Sequence, residues 1–208
     1  LVPVFLKSQY YPFFPNTRCM FTIHNIEYQG KFNPYILGDV FGMDTAHYHM
    51  LEFDGCINLM KGAMLMADAV STVSPTYARE LHTPQFGKGL EGVCDMIESK
   101  MYGIINGIDP DHYDPSKDAR IPANFTDEDK SGKAVCKEYI QEAFGLRKER
   151  SWPLFAVVAR LNEQKGIDLI RELLPDLMKK GIQLIIFGQG DKRYVDYFNQ
   201  CLLRYPGQ

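Results

Sequence analysis

Short unbroken apolar runs alternate along this chain with stretches whose apolar residues recur at helical spacing. The runs Cys19 to Ile23, Ala69 to Val73, Tyr102 to Ile105, 153–158 and 182–187 predict buried strands. Helices are predicted over Cys56 to Ala67, from Ser74-Pro75 onward, over Lys133 to Phe144, and over 167–179 and 194–204. Within 167–179, Ile167, Ile170, Leu174 and Leu177 fall on one helical face. Punctuation supports these spans. Ser74 and Pro75 supply an N-cap and a first-turn proline, Gly145 suits a C′ position, and Lys179-Lys180-Gly181 is a matched helix end. Alternation of this kind predicts an α/β fold of parallel sheets joined by crossover helices.

Three stretches interrupt the alternation. Tyr28 to Asp54, rich in Gly, aromatic and polar residues, predicts a long surface excursion, and Pro84 to Gly92 predicts a loop. Asp114 to Lys133 is polar and reads as a connector or surface arm. The connectors place a lobe boundary near residue 102, giving lobes 1–102 and 103–208, with the strand that ends at Asn106 opening the second.

Composition narrows the function classes. The 208 residues are 45% hydrophobic and 24% charged, as in an ordinary globular protein, with a formal net charge of −3. That charge argues against a broad nucleic-acid or anionic-membrane surface but leaves room for a local basic pocket. No apolar stretch approaches the roughly 20 residues needed to span a bilayer. Leu1 to Lys7 lacks the basic region and cleavage site of a signal peptide. The cysteines (Cys19, Cys56, Cys94, Cys136, Cys201) are odd in number and widely spaced, which predicts reduced thiols in a cytoplasmic setting.

The sharpest candidate chemistry follows the run Leu154 to Ala159. The next loop carries Arg160 and Lys165 and leads into the amphipathic helix at 167. Ligands of open α/β sheets sit beyond the carboxyl ends of strands, beside helix N-termini. Two cations there form a natural clamp for a diphosphate; on spacing alone they read equally as solvated loop charges. His24-Asn25, just after an apolar strand, can hydrogen-bond sugar hydroxyls, with a packed loop histidine as the simpler alternative. Asn106-Gly107 reads most simply as a turn, or else as an amide placed in a cleft.

Gly188 and Gly190, after the run 182–187, would let a ligand approach the backbone. The third glycine of a dinucleotide fingerprint is absent, and no phosphate-binding P-loop occurs. His47, His49, Glu52 and Asp54 lack a diagnostic metal spacing, so no metal or cofactor is expected. Ser74 has no nucleophile-elbow context and reads as a cap.

Seven segments, in order, resemble the bacterial glycogen synthases and plant starch synthases. They are Phe-Thr-Ile-His-Asn-Ile-Glu-Tyr-Gln-Gly (21–30), Leu-Glu-Phe-Asp-Gly (51–55), Lys-Gly-Ala-Met (61–64) and Ala-Asp-Ala-Val-Ser-Thr-Val-Ser-Pro-Thr-Tyr-Ala-Arg-Glu (67–80). Gly-Ile-Ile-Asn-Gly-Ile-Asp (103–109), Val-Ala-Arg-Leu-Asn-Glu-Gln-Lys-Gly (158–166) and Phe-Gly-Gln-Gly-Asp (187–191) complete the set. The resemblance implies the GT-B architecture, here parts of two Rossmann-like parallel-sheet lobes with an interlobe cleft. It implies a hexosyltransferase that moves glucose from ADP-glucose to the non-reducing end of an α-1,4-glucan with retention.

Within that family, the residues matching Arg160 and Lys165 grip the donor diphosphate. Those matching His24 and Asn25 contact the transferred glucose, and the one matching Asn106 lies in the interlobe cleft. Those matching Gly188 and Gly190 line the nucleotide pocket. ADP-glucose or ADP and an α-glucan are thus the implied partners, with cytoplasmic location, or plastid in a plant; oligomeric state is left open. Other GT-B glucosyltransferases, or a non-catalytic nucleotide- or glucan-binding remnant, are the alternatives. The family's Lys-x-Gly-Gly-Leu, His-Asp-Trp and Glu-Pro-x-Gly-Leu motifs have no counterpart among these residues. The stretch therefore reads as the central part of the catalytic region, with exposed sheet edges or apolar faces expected and activity on its own not expected.

Overall fold

The apolar runs pair as parallel strands, in two separate sheets. The computed structural model describes residues 1–208, which form two units, Leu1–Ile108 and Asp109–Gln208.

The first unit runs α1 (Val2–Lys7), β1 (Met20–Ile23), β2 (Lys31–Phe32), α2 (Ile36–Asp39), α3 (Tyr48–Leu51), β3 (Glu52–Phe53), β4 (Cys56–Asn58) and α4 (Leu59–Met66). It continues through β5 (Ala69–Thr72), α5 (Pro75–Glu80), α6 (Pro84–Gly87), α7 (Glu91–Met96) and β6 (Met101–Gly103). Strands β1, β5 and β6 form a parallel sheet in that order, with Ile23 opposite Thr72 and Thr72 opposite Gly103. Side chains reinforce the β1–β5 pairing: the Ser71 and Thr22 hydroxyls meet at 2.8 Å, and Thr72 Oγ1 donates to the Ile23 carbonyl at 3.0 Å. Beneath the sheet, Ile23, Ile26, Met64, Val70, Leu81, Leu90 and Cys94 share one core. Burial pushes the Cys94 thiol up to about 11, so it packs as a small apolar group rather than a nucleophile.

Four expectations are corrected here. The run ending near Asn106 does not open the second lobe. Its strand β6 hydrogen-bonds to β5 and closes the first unit's sheet, so the units divide after Ile108 rather than at 102. Cys56 to Asn58 is likewise not helical but the central strand of a small antiparallel sheet, β2-β4-β3. The helix begins at Leu59 because Asn58 caps it, its Oδ1 accepting the Lys61 amide at 3.0 Å. The excursion from Tyr28 to Asp54 is therefore a structured insert with its own core of Leu37, Met43, Leu51 and Ile57, closed by Val4 of α1. Pro84 to Gly92 is also partly helical, through α6.

Asp68 fastens this unit's amino-terminal segment. Its carboxylate accepts from Lys7 Nζ at 2.8 Å, the Cys19 amide at 2.8 Å and Arg18 at 3.0 Å. The Lys7 hydrogen bond, followed by those from Cys19 and Arg18, holds its pKa well below the usual carboxylate range. A carboxylate depressed in the folded state adds stability that is complete above its ordinary pKa and is lost as pH falls toward the folded value. Asp68→Asn is thus expected to lower Tm at pH 7, with the gap from wild type narrowing at pH 3; equal gaps in melts at both pH values would refute this.

The second unit runs α8 (Gly132–Ala143), β7 (Leu154–Val158), α9 (Ile167–Lys179), β8 (Gln183–Phe187) and α10 (Lys192–Arg204). These spans follow the apolar pattern to within one or two residues. Gly145 and Gly181 take positive φ, +65° and +69°, just past their helices, as a C′ residue must. Strands β7 and β8 pair in parallel with Leu154 opposite Gln183. Ile167 and Leu174 of α9 are buried and Ile170 and Leu177 partly so, as their spacing predicts. Phe155, Val158 and Phe187 on this two-stranded sheet are more than half exposed.

Candidate functional site

In the second unit the site residues emerge where β7 and β8 end. Backbone pairing continues past both strands. The Ala159 amide donates to the Phe187 carbonyl at 3.2 Å, Leu161 to Gln189 at 2.9 Å, and Asp191 back to Leu161 at 2.9 Å. The two exit segments are laced together, and this explains the glycines. A Cβ on Gly188 would lie 1.8 Å from the Ala159 carbonyl oxygen, and one on Gly190 would lie 2.1 Å from that of Leu161. Only glycine allows such an approach. Sequence reasoning sought the reason for these glycines in a ligand, whereas the neighbouring backbone already requires them.

Arg160 and Lys165 are exposed on the segment so fixed. Between them Leu161 is buried with Ile167 and Tyr194, and Glu163–Lys165 forms a single 3-10 turn. Gly166, at φ +67°, swings the chain from this turn into α9. Lys165 thus stands at the amino end of a 13-residue helix, where the helix dipole and first-turn amides favour an anion. Two cationic side chains beside that terminus can neutralise a doubly charged group such as a diphosphate.

In the first unit, His24 and Asn25 follow β1, and Ile104 to Asn106 follow β6, all at the carboxyl edge of one parallel sheet. His24 and Asn106 are exposed and Asn25 is half-buried. Asn25 Oδ1 accepts the Glu27 amide at 3.0 Å, and Tyr77 on α5 accepts the Ile26 amide at 3.3 Å, so the loop after β1 is braced. The packed-histidine alternative is not what is found, since the His24 side chain faces solvent. Nor is Asn106-Gly107 a turn. Residues 104–109 run without one, the Ile104 amide extends the β5–β6 pairing by donating to Thr72 at 2.8 Å, and Gly107 has no positive φ.

Sequence reasoning missed several supports. Asn58 Nδ2 donates to Gln29 Oε1 at 2.8 Å, and Gln29 Nε2 donates to the Lys88 carbonyl at 3.0 Å. Both side chains are almost fully buried, and they anchor the end of the 24–30 segment. An N-cap signal at Asn58 was available; its partner was not, since 29 residues separate the two. Glu27 to Lys31 and Lys88 line an open hollow on this unit's surface. No group of three or more His, Cys, Asp or Glu side chains is placed to hold a metal ion. His49 and Glu52 are instead engaged with backbone groups, of Ala46 and Gly55.

Residues 1–96 match the family described as starch synthase catalytic domain. The glycogen synthase of Streptococcus equi subsp. zooepidemicus is 43% identical over 210 aligned positions, covering 99% of this chain and 44% of that protein. The glycogen synthase of Alkaliphilus metalliredigens is 40% identical over the same coverage. Among solved structures, the catalytic domain of starch synthase IV from Arabidopsis thaliana, bound to ADP and acarbose, superimposes with a TM-score of 0.87. Its identity is 30%, and the match covers 99% of this chain and 43% of that one. The chain therefore spans less than half the length of the relatives it matches. With an α/β fold of parallel sheets, near-complete alignment to glycogen synthases and a structural match to a starch synthase catalytic domain, the chain is similar along nearly its whole length to glycogen and starch synthases.

Proposed function

We propose that the protein to which this stretch belongs is a retaining glucosyltransferase. It moves glucose from ADP-glucose onto the 4-hydroxyl at the non-reducing end of an α-1,4-glucan. The observation that carries the reading is the placement of Arg160 and Lys165 at the carboxyl edge of a parallel sheet, one of them at the amino end of α9. The relatives named glycogen synthase, and the starch synthase structure bound to ADP and acarbose, support both substrates.

As the glucosyl–oxygen bond breaks, positive charge builds on the sugar and negative charge on the departing diphosphate. Fixed cations at Arg160 and Lys165 stabilise that growing charge more than the ground state, and this difference accelerates transfer. The reading assigns charge neutralisation to side chains and invokes no metal or cofactor. His24 and Asn25 contribute hydrogen bonds to the transferred glucose, and Asn106 a further amide. Gly188 and Gly190 keep the nucleotide-side loop close to the Arg160 segment. The five unpaired cysteines fit a reducing compartment such as the cytoplasm.

The test is an assay of the full-length protein with a maltooligosaccharide and either ADP-glucose or UDP-glucose. Release of ADP with elongation by α-1,4-linked glucose is expected. Preference for UDP-glucose would overturn the donor assignment, and no transfer from either donor would overturn the enzymatic reading.

A further inference from the structure

The first turn of α10 makes contacts on both sides of Lys165. Its start is fixed to the Arg160 segment by the Asp191 amide, which donates to the Leu161 carbonyl at 2.9 Å. The Tyr194 ring is fully buried beside Leu161 and Ile167, and its hydroxyl donates to Asp168 Oδ2 at 2.6 Å. Asp168 lies in the first turn of α9 and also faces Arg171 at 3.5 Å. The Arg193 guanidinium stacks 4.5 Å above the Tyr194 ring and donates to its oxygen at 2.8 Å. The same guanidinium lies 3.8 Å from Glu163 and 3.7 Å from Asp191. The turn itself is closed by the Lys165 amide to Asn162 at 3.2 Å and the Gly166 amide to Glu163 at 2.9 Å.

We propose that Arg193, Tyr194 and Asp168 form a positioning device that presets the Lys165 turn for diphosphate binding. The device has two physical parts. Tyr194 and Asp168 pin the residues that follow Lys165, so less conformational entropy is lost when the anion binds. Arg193 draws Glu163 toward α10, which keeps that carboxylate from neutralising the Lys165 ammonium two residues away. None of these side chains needs to touch the nucleotide. The proposal rests on Arg160 and Lys165 being the diphosphate clamp.

The test is a double-mutant cycle on the full-length protein, read as the Kd for ADP by calorimetry. Tyr194→Phe keeps the buried ring and removes only the hydroxyl, so the fold should persist, as thermal melts would verify. It is expected to weaken ADP binding about fivefold to tenfold, the size of one typical hydrogen bond. In a Lys165→Ala background the same change should have almost no effect, because the group being positioned is gone. Arg193→Gln, at the surface, should repeat the pattern. Equal weakening in both backgrounds would mean that the cluster only supports the fold, and would overturn the proposal. So would an unchanged Kd for Tyr194→Phe and Arg193→Gln where Lys165→Ala weakens binding. If Lys165→Ala itself leaves ADP binding intact, the clamp fails and the positioning proposal with it.

Discussion

Lys165→Ala in the full-length protein is expected to lower kcat for glucosyl transfer about a hundredfold to a thousandfold, as does loss of one preorganised donor at a site of developing charge. Arg160→Ala should act similarly. The reason lies in placement rather than charge alone. Lys165 stands on a single turn between a buried Leu161 and the amino end of α9, on a segment whose backbone is paired to the β8 exit. A cation held this way does not reorganise as the diphosphate acquires charge, so its contribution falls on the transition state and appears in kcat. Because both cations act on one leaving group, the double variant should fall short of the product of the two single losses. Steady-state kinetics on the three variants would check this. A change below about twofold in Lys165→Ala would reduce it to a surface charge.

Gly188→Ala should be the most damaging small substitution in the second unit. The added Cβ would sit 1.8 Å from a backbone oxygen, and backbone, unlike a flexible side chain, cannot swing aside. Relief requires separating the β7 and β8 exits and losing the Ala159–Phe187 hydrogen bond. We expect a loss of about 3 kcal/mol or more, and a Tm lowered by several degrees in thermal melts of the full-length protein. Gly92→Ala is the control. It lies within α7 with nothing near its added Cβ, and alanine is the better helix former, so it should be neutral or slightly stabilising. If Gly188 served only ligand approach, Gly188→Ala would keep its Tm and lose ADP affinity alone. Stability and binding falling together is the outcome that the steric argument requires.

Legibility followed the physics of each signal. Elements β7, α9, β8 and α10 were readable because buried parallel strands give continuous apolar runs and amphipathic helices give a 3.6-residue period. Cys56 to Asn58 misled because a short apolar run carries no period that separates a strand from the start of a helix. The insert's core was invisible for a related reason: Leu37, Met43, Leu51 and Ile57 follow no fixed spacing and converge only in three dimensions. Sequence also placed β6 in the wrong unit, since a strand's partner is a tertiary fact, and β6 chose β5. The candidates Arg160, Lys165, His24 and Asn25 were proposed from their position after strands. The steric demand on Gly188 and the contacts of Tyr194 with Asp168 were not, because both depend on distances between separate segments.

The structured insert also bears on how the first unit reaches its fold. Strands β1 and β5 pair in parallel across residues 24–68, a long closure for a sheet that needs both strands to nucleate. The entropy lost in bringing two chain positions together grows with the logarithm of the intervening length. An insert that gathers its own sheet and core holds residues 31 and 58 side by side, which shortens the effective loop between the two parallel strands. Substitutions in the insert core, such as Leu51→Ala, would then slow refolding as well as hasten unfolding, although they lie away from the parallel sheet whose formation they govern.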